Sequence, residues 1–569
     1  MKKYLVYMTC AAAAVMGTSC SDFGDVNIDP EHMNETNVPL EMLFTNAQHQ
    51  ALGSDWDVWR NGCIYSGQWM NHIASLGWAD YAMYLWSDGY SAAYWDGVYS
   101  GDRGAIRDVT NVREQWREDE DHQVDYQLAR IMRVYVMHRM TDLYGDIPYF
   151  QAGQPSEYSY PEYDTQQSIY MDLLKELNEA QAALDGMGTA PMGAQDVYYQ
   201  GDTEKWRKFA NSLMLRIAMR MSKVDPTTAE QWVKTAVNNG LFESNADNAK
   251  LEHPGAVTTN DTSEPYAKIF AHEDRGNFMI NEFFINILKK TNDPRLPLIA
   301  TVCRNPRTSV QDANNFDYGN SDPAIQKGIP DGYTHAESSP WYIGRYYPEL
   351  IPEVLPPYDK DDDEYDEKKP DEPMSLYDYF RKNYSTVNRR TYSDPTAPTF
   401  ICTYAQTQLL LAEAAYRGWL NGTSASGSAQ TYYENGVRAA MQQFSQFPNG
   451  TTLYSQYLTP EAIDQYLADN HNQFDQSRAL EQINTQYWIN CFCDEYETFA
   501  NWRRSGYPEL TPAHDPSNPY GNSDTDGTIP RRFRYPTTES SVNGVNYDAA
   551  VSRMNGGDRF DSRVWWDVE

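Results

Sequence analysis

Apolar side chains recur every three or four residues over several long stretches of this chain, and that rhythm limits its fold more than any other feature. From Val124 to Tyr144, Leu128, Ile131, Tyr135, Met137 or His138, and Leu143 follow a period near 3.6 residues, which predicts an amphipathic helix. Gly145 ends the pattern and Ile147-Pro148 prevents its continuation. A second helix is expected from about Thr165 to Leu184, with Ile169, Leu173, Leu177 and Ala180 on one face. A third runs from Thr203 to Ser222, where Phe209, Leu213, Ile217 and Met221 sit four apart, and Ala229 to Asn239 closes the block. Toward the C-terminus the rhythm returns at Tyr404 to Trp419, Ala429 to Phe444 and Pro460 to Leu467. A last long helix is expected from Ala479 to Arg504, with Trp488, Phe492, Phe499 and Trp502 at offsets of 0, 4, 11 and 14.

Paired helices joined by turns resemble a helical scaffold of the tetratricopeptide kind, although no consensus of about 34 residues repeats. The expected fold is therefore mostly α. Tetratricopeptide-like helix pairs form a scaffold over roughly 124–240 and 404–505, and a loop-rich irregular side, over roughly 56–123 and 249–400, carries the candidate ligand-binding rings. Residues 20–569 read as one domain.

The N-terminus gives an address. Met1-Lys2-Lys3 is positive, Leu5 to Met16 is almost unbrokenly apolar, and Gly17-Thr18-Ser19 precede Cys20. This order is a secretion signal too short to span a bilayer permanently. Residues 1–19 are expected to be a lipoprotein signal peptide and Cys20 the lipidated residue, the alternative being an ordinary secreted protein. Several acyl chains on one cysteine would anchor the chain stably where a single chain would not. Residues 20 to 40, with Asp22, Asp25, Asp29, Pro30 and Pro39, read as an extended tether into a first helix near Leu40 to Leu52. No later segment approaches twenty apolar residues, so the lipid would be the only membrane attachment.

The full chain carries a formal charge of −34, and loss of Lys2 and Lys3 with the signal makes it about −36. Such a surface repels phosphate backbones, so nucleic acid is excluded as a partner. Cys63, Cys303, Cys402, Cys491 and Cys493 are too few and too scattered for a disulfide framework. Cys491 and Cys493 read as buried small residues rather than metal ligands. The run from Asp359 to Glu372 reads as a solvated loop. Calcium at Asp361 to Glu364 is the alternative, but EF-hand spacing is absent. H-E-x-x-H, G-x-S-x-G, P-loop and G-x-G-x-x-G patterns are all missing. No catalytic residue, metal or cofactor is expected.

Aromatic content carries the functional signal: 43 Tyr and 15 Trp occur in a chain whose mean hydropathy is −0.71. Twelve of these rings lie between Trp56 and Tyr99, separated by glycine, serine, aspartate and asparagine. Rings beside small polar residues suit sugars, whose C–H faces stack while their hydroxyls form hydrogen bonds. The ligand-binding residues expected are Trp69, Trp78, Tyr81, Trp86, Tyr94 and Trp95. Trp341 and Tyr346, from the cluster Trp341-Tyr342 and Arg345-Tyr346-Tyr347, are expected to form the other wall.

Several segments resemble the SusD/RagB family: TDLYGDIPYFQA (Thr141 to Ala152), YPEYDTQQSIY (Tyr160 to Tyr170), KWRKFANSLMLRIAMRM (Lys205 to Met221), NDPRLP (Asn292 to Pro297), YAQTQLLLAEAAYRGW (Tyr404 to Trp419), YWINCFCDEYETFANWRRSGYPEL (Tyr487 to Leu510) and IPRRFRYPTTE (Ile529 to Glu539). The resemblance implies a lipoprotein on the outer face of the outer membrane that captures nutrients and caps a SusC-like TonB-dependent transporter. It implies that Asn211, Arg216, Trp502, Arg503 and Arg504 make helix-packing and transporter-facing contacts. Ligand residues vary within the family, so none carries over by resemblance. The expected function is capture of oligosaccharides for the transporter, with the protein as its lid. A peptide-binding member feeding oligopeptides, and a surface-tethered glycosidase, are the alternatives.

Overall fold

The computed structural model describes residues 38–99, 104–255, 262–306, 308, 316–330, 352–360, 362, 365–513, 525 and 527–569. Cys20, Trp341 and Tyr346 lie outside the described residues, as do 361, 363 and 364 of the calcium alternative.

Helices dominate. Taken in order, the principal ones are α1 (Leu40–Gln50), α2 (Ala105–Trp116), α3 (Gln123–Tyr144), α4 (Gln166–Ala183), α5 (Thr203–Arg220), α6 (Pro226–Asn239), α7 (Tyr404–Tyr416), α8 (Ala429–Gln442), α9 (Ala479–Asn490) and α10 (Glu495–Ser505). Side chains set their starts. The side chain of Thr165 accepts the Ser168 N–H at α4, and that of Asp202 accepts those of Glu204 and Lys205 at α5. At α7, Thr403 and Gln406 cap one another's backbone reciprocally. Gly145, at φ 85°, ends α3 where a side chain would be strained. Sequence neighbours pack as pairs, α2 on α3, α3 on α4, α4 on α5, α5 on α6 and α7 on α8, which is the tetratricopeptide-like pattern.

Helix α3 is buried on every side from Gln127 to Tyr144, so it lies inside the scaffold rather than on its face. Its arginines are matched: Arg130 reaches Glu176 at 2.8 Å, and Arg139 reaches Asp494 at 2.9 Å. Farther in, Glu413 receives Arg504 at 2.7 and 2.8 Å and Arg417 at 2.8 Å, while Glu497 receives Arg220 and the Tyr487 hydroxyl, each at 2.7 Å. Burial opposes the charge on Glu413, but Arg504 and then Arg417 outweigh it and hold its carboxyl down at about 2. Asn211, Arg216, Trp502, Arg503 and Arg504 are all buried. Their contacts are internal, and the transporter-facing role expected for them is withdrawn.

Three expectations change. The last helix is broken, because Cys491–Asp494 turns between α9 and α10 with Cys493 at φ 64°. Trp488 and Phe499 therefore belong to different helices. Cys491 is buried and Cys493 only partly so. The stretch 56–123, expected as loop, is a series of short helices followed by α2. Its glycines and crowded rings hide any apolar period.

Small ladders join distant parts. Ile73–Ser75 pairs antiparallel with Phe278–Ile280, Ile73 opposite Ile280. This antiparallel ladder sets the stretch after Ser75, which carries Trp78, beside the stretch before Phe278, which carries Asp274.

Candidate binding cleft

Two segments that lead toward these strands are π-helices, Val58–Gly67 and Ile269–Glu273. A π-helix is rare and recurs at functional sites, because its wider turn re-aims side chains. The first segment grows from the short helix Asp55–Asp57, which Ser54 and Asp57 start by capping each other. Gly62 and Gly67 let it sit close to its neighbours. A Cβ at Gly62 would meet the Tyr266 hydroxyl at 2.6 Å, and one at Gly67 would meet Ile73 at 2.9 Å. The second segment follows the short helix Pro265–Lys268, where a Glu264 oxygen accepts the Ala267 N–H at 2.7 Å.

Between them lies a cleft of about 250 Å³ lined by Asp55, Trp56, Trp59, Trp78, Ile269, Glu273 and Asp274. Its rings are held at right angles. Trp56 and Trp59 have centroids 5.3 Å apart at 82°, and Trp59 and Trp78 are 5.1 Å apart at 89°. One oxygen of Asp274 accepts both indole N–H groups, from Trp59 at 3.0 Å and Trp78 at 2.8 Å. An ionised carboxylate oxygen has lone pairs for both. Tyr90 stands 5.9 Å from Trp59, and the Arg60 guanidinium lies 5.5 Å over Trp56 and 5.8 Å over Tyr90. Trp56 keeps 49% of its surface exposed. Half-buried indoles with fixed edges, beside the exposed Trp56, form a corner into which a sugar ring or an apolar side chain can pack.

Charge around the corner is mostly negative. Lys268 reaches Asp55 at 2.8 Å and Glu273 at 3.8 Å from the side of the cleft. Behind the second segment, burial pushes the Glu264 carboxyl up to about 7. Burial, followed by the fields of Glu495, Asp274 and Glu264, likewise raises the Cys63 thiol, so it is no nucleophile at neutral pH. Among the described residues no three His, Cys, Asp or Glu side chains gather in a way that could hold a metal ion.

The expected ligand residues divide. Trp78 lines the cleft. Tyr81 is half-buried beside it, 5.0 Å from Tyr90 and 6.4 Å from Trp78. Trp86 is half-buried beneath the Arg534 guanidinium at 4.0 Å. Trp69, Tyr94 and Trp95 are core instead, at 1%, 0% and 5% exposure. Trp69 packs on Phe499, Phe533 and Phe560 and gives its N–H to the Tyr81 carbonyl at 3.0 Å, and the Tyr94 hydroxyl bonds the Ala51 carbonyl at 2.8 Å. Trp95 sits among Tyr144, Tyr163 and Tyr535, and its remaining edge borders a separate cleft of about 470 Å³.

Three ring residues of the corner, Trp56, Trp59 and Tyr90, belong to the sequence cluster but were not among the residues expected to bind. The Trp56–Trp59–Arg60 spacing, one helical turn with a cation behind it, is the signal that would have found two of them. Asp274 gave no such signal, since it joins Trp59 and Trp78 across 215 and 196 residues of sequence.

Residues 30–347 and 360–536 match the family model for SusD-like proteins described as "Starch-binding associating with outer membrane". The chain belongs to the SusD-like family. Solved structures agree over nearly its whole length. A "chitin-binding protein" is 29% identical with a TM-score of 0.71, covering 93% of this chain and 100% of that one. A "Bacteroidetes AC2a SusD-like" protein is 26% identical with a TM-score of 0.74, covering 94% and 100%. A chitin-binding SusD homolog from Flavobacterium johnsoniae, 22% identical with a TM-score of 0.70 over 93% and 99%, shares the fold. No curated protein matches the chain. SusD-like membership accounts for the helical scaffold. The corner of Trp56, Trp59 and Trp78 is read from this chain's own residues.

Proposed function

We propose that this protein is a cell-surface, nutrient-binding lipoprotein that captures oligosaccharides in the corner formed by Trp56, Trp59 and Trp78. The observation that carries the reading is the pair of indoles fixed by one Asp274 oxygen, lining with the exposed Trp56 a cleft walled by two π-helices. Family membership and the 29% identity to a chitin-binding protein support a glycan as ligand. Cys20 would carry the lipid at the outer face of the outer membrane, and the protein would act as lid to a SusC-like TonB-dependent transporter. Capture in so small a cleft would be weak, between about micromolar and millimolar, or roughly −8 to −4 kcal/mol. That range suits a ligand that must be passed on.

The acidic rim of the cleft favours one rival, a basic oligopeptide. Isothermal titration against matched panels of oligosaccharides and peptides decides between them. Binding of peptides alone overturns the glycan reading. Release of reducing ends from the bound sugars would instead establish a tethered glycosidase.

A further inference from the structure

We infer that the cleft prefers a cationic sugar, an oligosaccharide bearing free amino groups, over neutral N-acetylated and anionic uronate sugars of the same length. The inference rests on the glycan reading and adds the charge class of the ligand. Three of the residues lining the cleft are carboxylates, Asp55, Glu273 and Asp274, and none is a cation. They share that surface with the faces of Trp56, Trp59 and Trp78, so the acids border a built aromatic corner. Indole faces are negative above the ring, and a cation placed over one is attracted without help from any acid. Carboxylate and ring face therefore select the same charge.

The nearby cations are held at the edge of the cleft and leave its acids in excess. Lys268 stands beside Asp55 and Glu273, where one positive charge meets two carboxylates. Arg60 lies over Trp56 and Tyr90, and its charge helps to stabilise the Asp96 carboxylate. Asp274 spends its Oδ2 on the two indoles and its Oδ1 on Asn277, so it acts through its charge. Glu273, with 47% of its side chain exposed and Lys268 no closer than 3.8 Å, is the acid placed to meet an ammonium directly. A net charge of −34 adds a long-range pull of the same sign. An N-acetyl group removes the positive charge and forgoes these attractions, and a uronate reverses them.

The test uses the whole mature protein and three probes of equal length: N-acetylglucosamine oligomers, their fully de-acetylated glucosamine counterparts at mildly acidic pH, and oligogalacturonates. Titration calorimetry at low salt should give about ten-fold tighter binding for the amino oligomer than for the acetylated one, and no measurable binding of the uronate. The preference should shrink at high salt and in Glu273→Gln, a change at an exposed side chain that leaves the fold intact. Equal or tighter binding of the acetylated oligomer overturns the inference while leaving glycan capture standing. So does a preference unchanged by both salt and Glu273→Gln. Failure of all three sugars, with binding of lysine-rich peptides instead, overturns the glycan reading itself.

Discussion

Asp274 accepts the indole N–H groups of both Trp59 and Trp78 on one oxygen, which makes it the positioning residue of the corner. In Asp274→Ala both N–H groups lose their partner, at about 1–3 kcal/mol for each one left buried and unsatisfied. The rings are then free to reorient. Affinity for a neutral glycan should fall by about ten-fold or more, whereas Asp274→Asn, which keeps an acceptor oxygen for the indoles and loses only the charge, should hold that neutral glycan close to wild type. Calorimetry on the two variants checks this, and an Asp274→Ala protein that binds normally would remove the residue from the site. Glu264, capping the helix that leads into the second π segment, has the opposite pH behaviour to an ion-paired acid. Burial raises its carboxyl from an ordinary 4.5 to about 7, so the folded state holds a proton that the unfolded chain has lost between those values. Stability should therefore fall as pH rises through that window, by about 3 kcal/mol at most, and stay lower above it. Glu264→Gln keeps the acceptor for the Ala267 N–H and should abolish this loss in urea titrations compared across that pH range.

At the scale of helices, the Glu413–Arg504 pair ties α7 to α10 through the middle of the scaffold. With its carboxyl lowered to about 2, Glu413 contributes stability that is fully present above about pH 4.5 and is lost as pH falls toward 2. The amount is of order 3 kcal/mol. Glu413→Gln strands a buried guanidinium and should cost about 3–5 kcal/mol at neutral pH while flattening the acid limb of the stability curve, which melts across the acid range would show. The rings make a paired prediction. Trp69→Ala opens a core cavity and should cost about 3–5 kcal/mol, whereas Trp56→Ala, at the exposed rim, should change stability by less than about 0.5 kcal/mol and weaken glycan binding. Here the reach of sequence reading becomes clear. Helices α3 to α8 were legible because a 3.6-residue apolar period survives wherever one face packs for several turns. The break at Cys493 was not, since nothing but a left-handed residue marks it and the apolar spacing runs straight through. The π segments escaped for a similar reason: hydrogen bonding to the fifth residue leaves no periodic trace in ten residues, let alone five. Trp59 and Trp69 are the same residue type on or beside one such segment. Only the packing of Phe499, Phe533 and Phe560 on one side, and of Asp274 on the other, decides which is core and which is cleft.

For the whole molecule, the aromatic cluster between Trp56 and Tyr99 pointed to the region that holds the proposed corner, and the family motifs pointed to the right scaffold. Neither could supply Asp55, Glu273 and Asp274, because the cleft exists only once the Ile73–Ser75 and Phe278–Ile280 strands pair. A cleft assembled by a long-range ladder on an otherwise rigid helical frame can change its ligand without changing the frame, which fits a family whose members share a fold at low identity. The central claim is that the corner of Trp56, Trp59 and Trp78 holds a sugar. It is tested most directly by isothermal titration of an oligosaccharide panel into the wild-type protein and into the triple variant Trp56→Ala, Trp59→Ala, Trp78→Ala, with circular dichroism to verify folding. The account predicts that the wild type binds at least one amino or neutral oligosaccharide and that the folded triple variant loses that binding by at least about 100-fold, a few kcal/mol across three rings. A folded triple variant that retains wild-type affinity, or a wild type that binds no member of the panel, would contradict it.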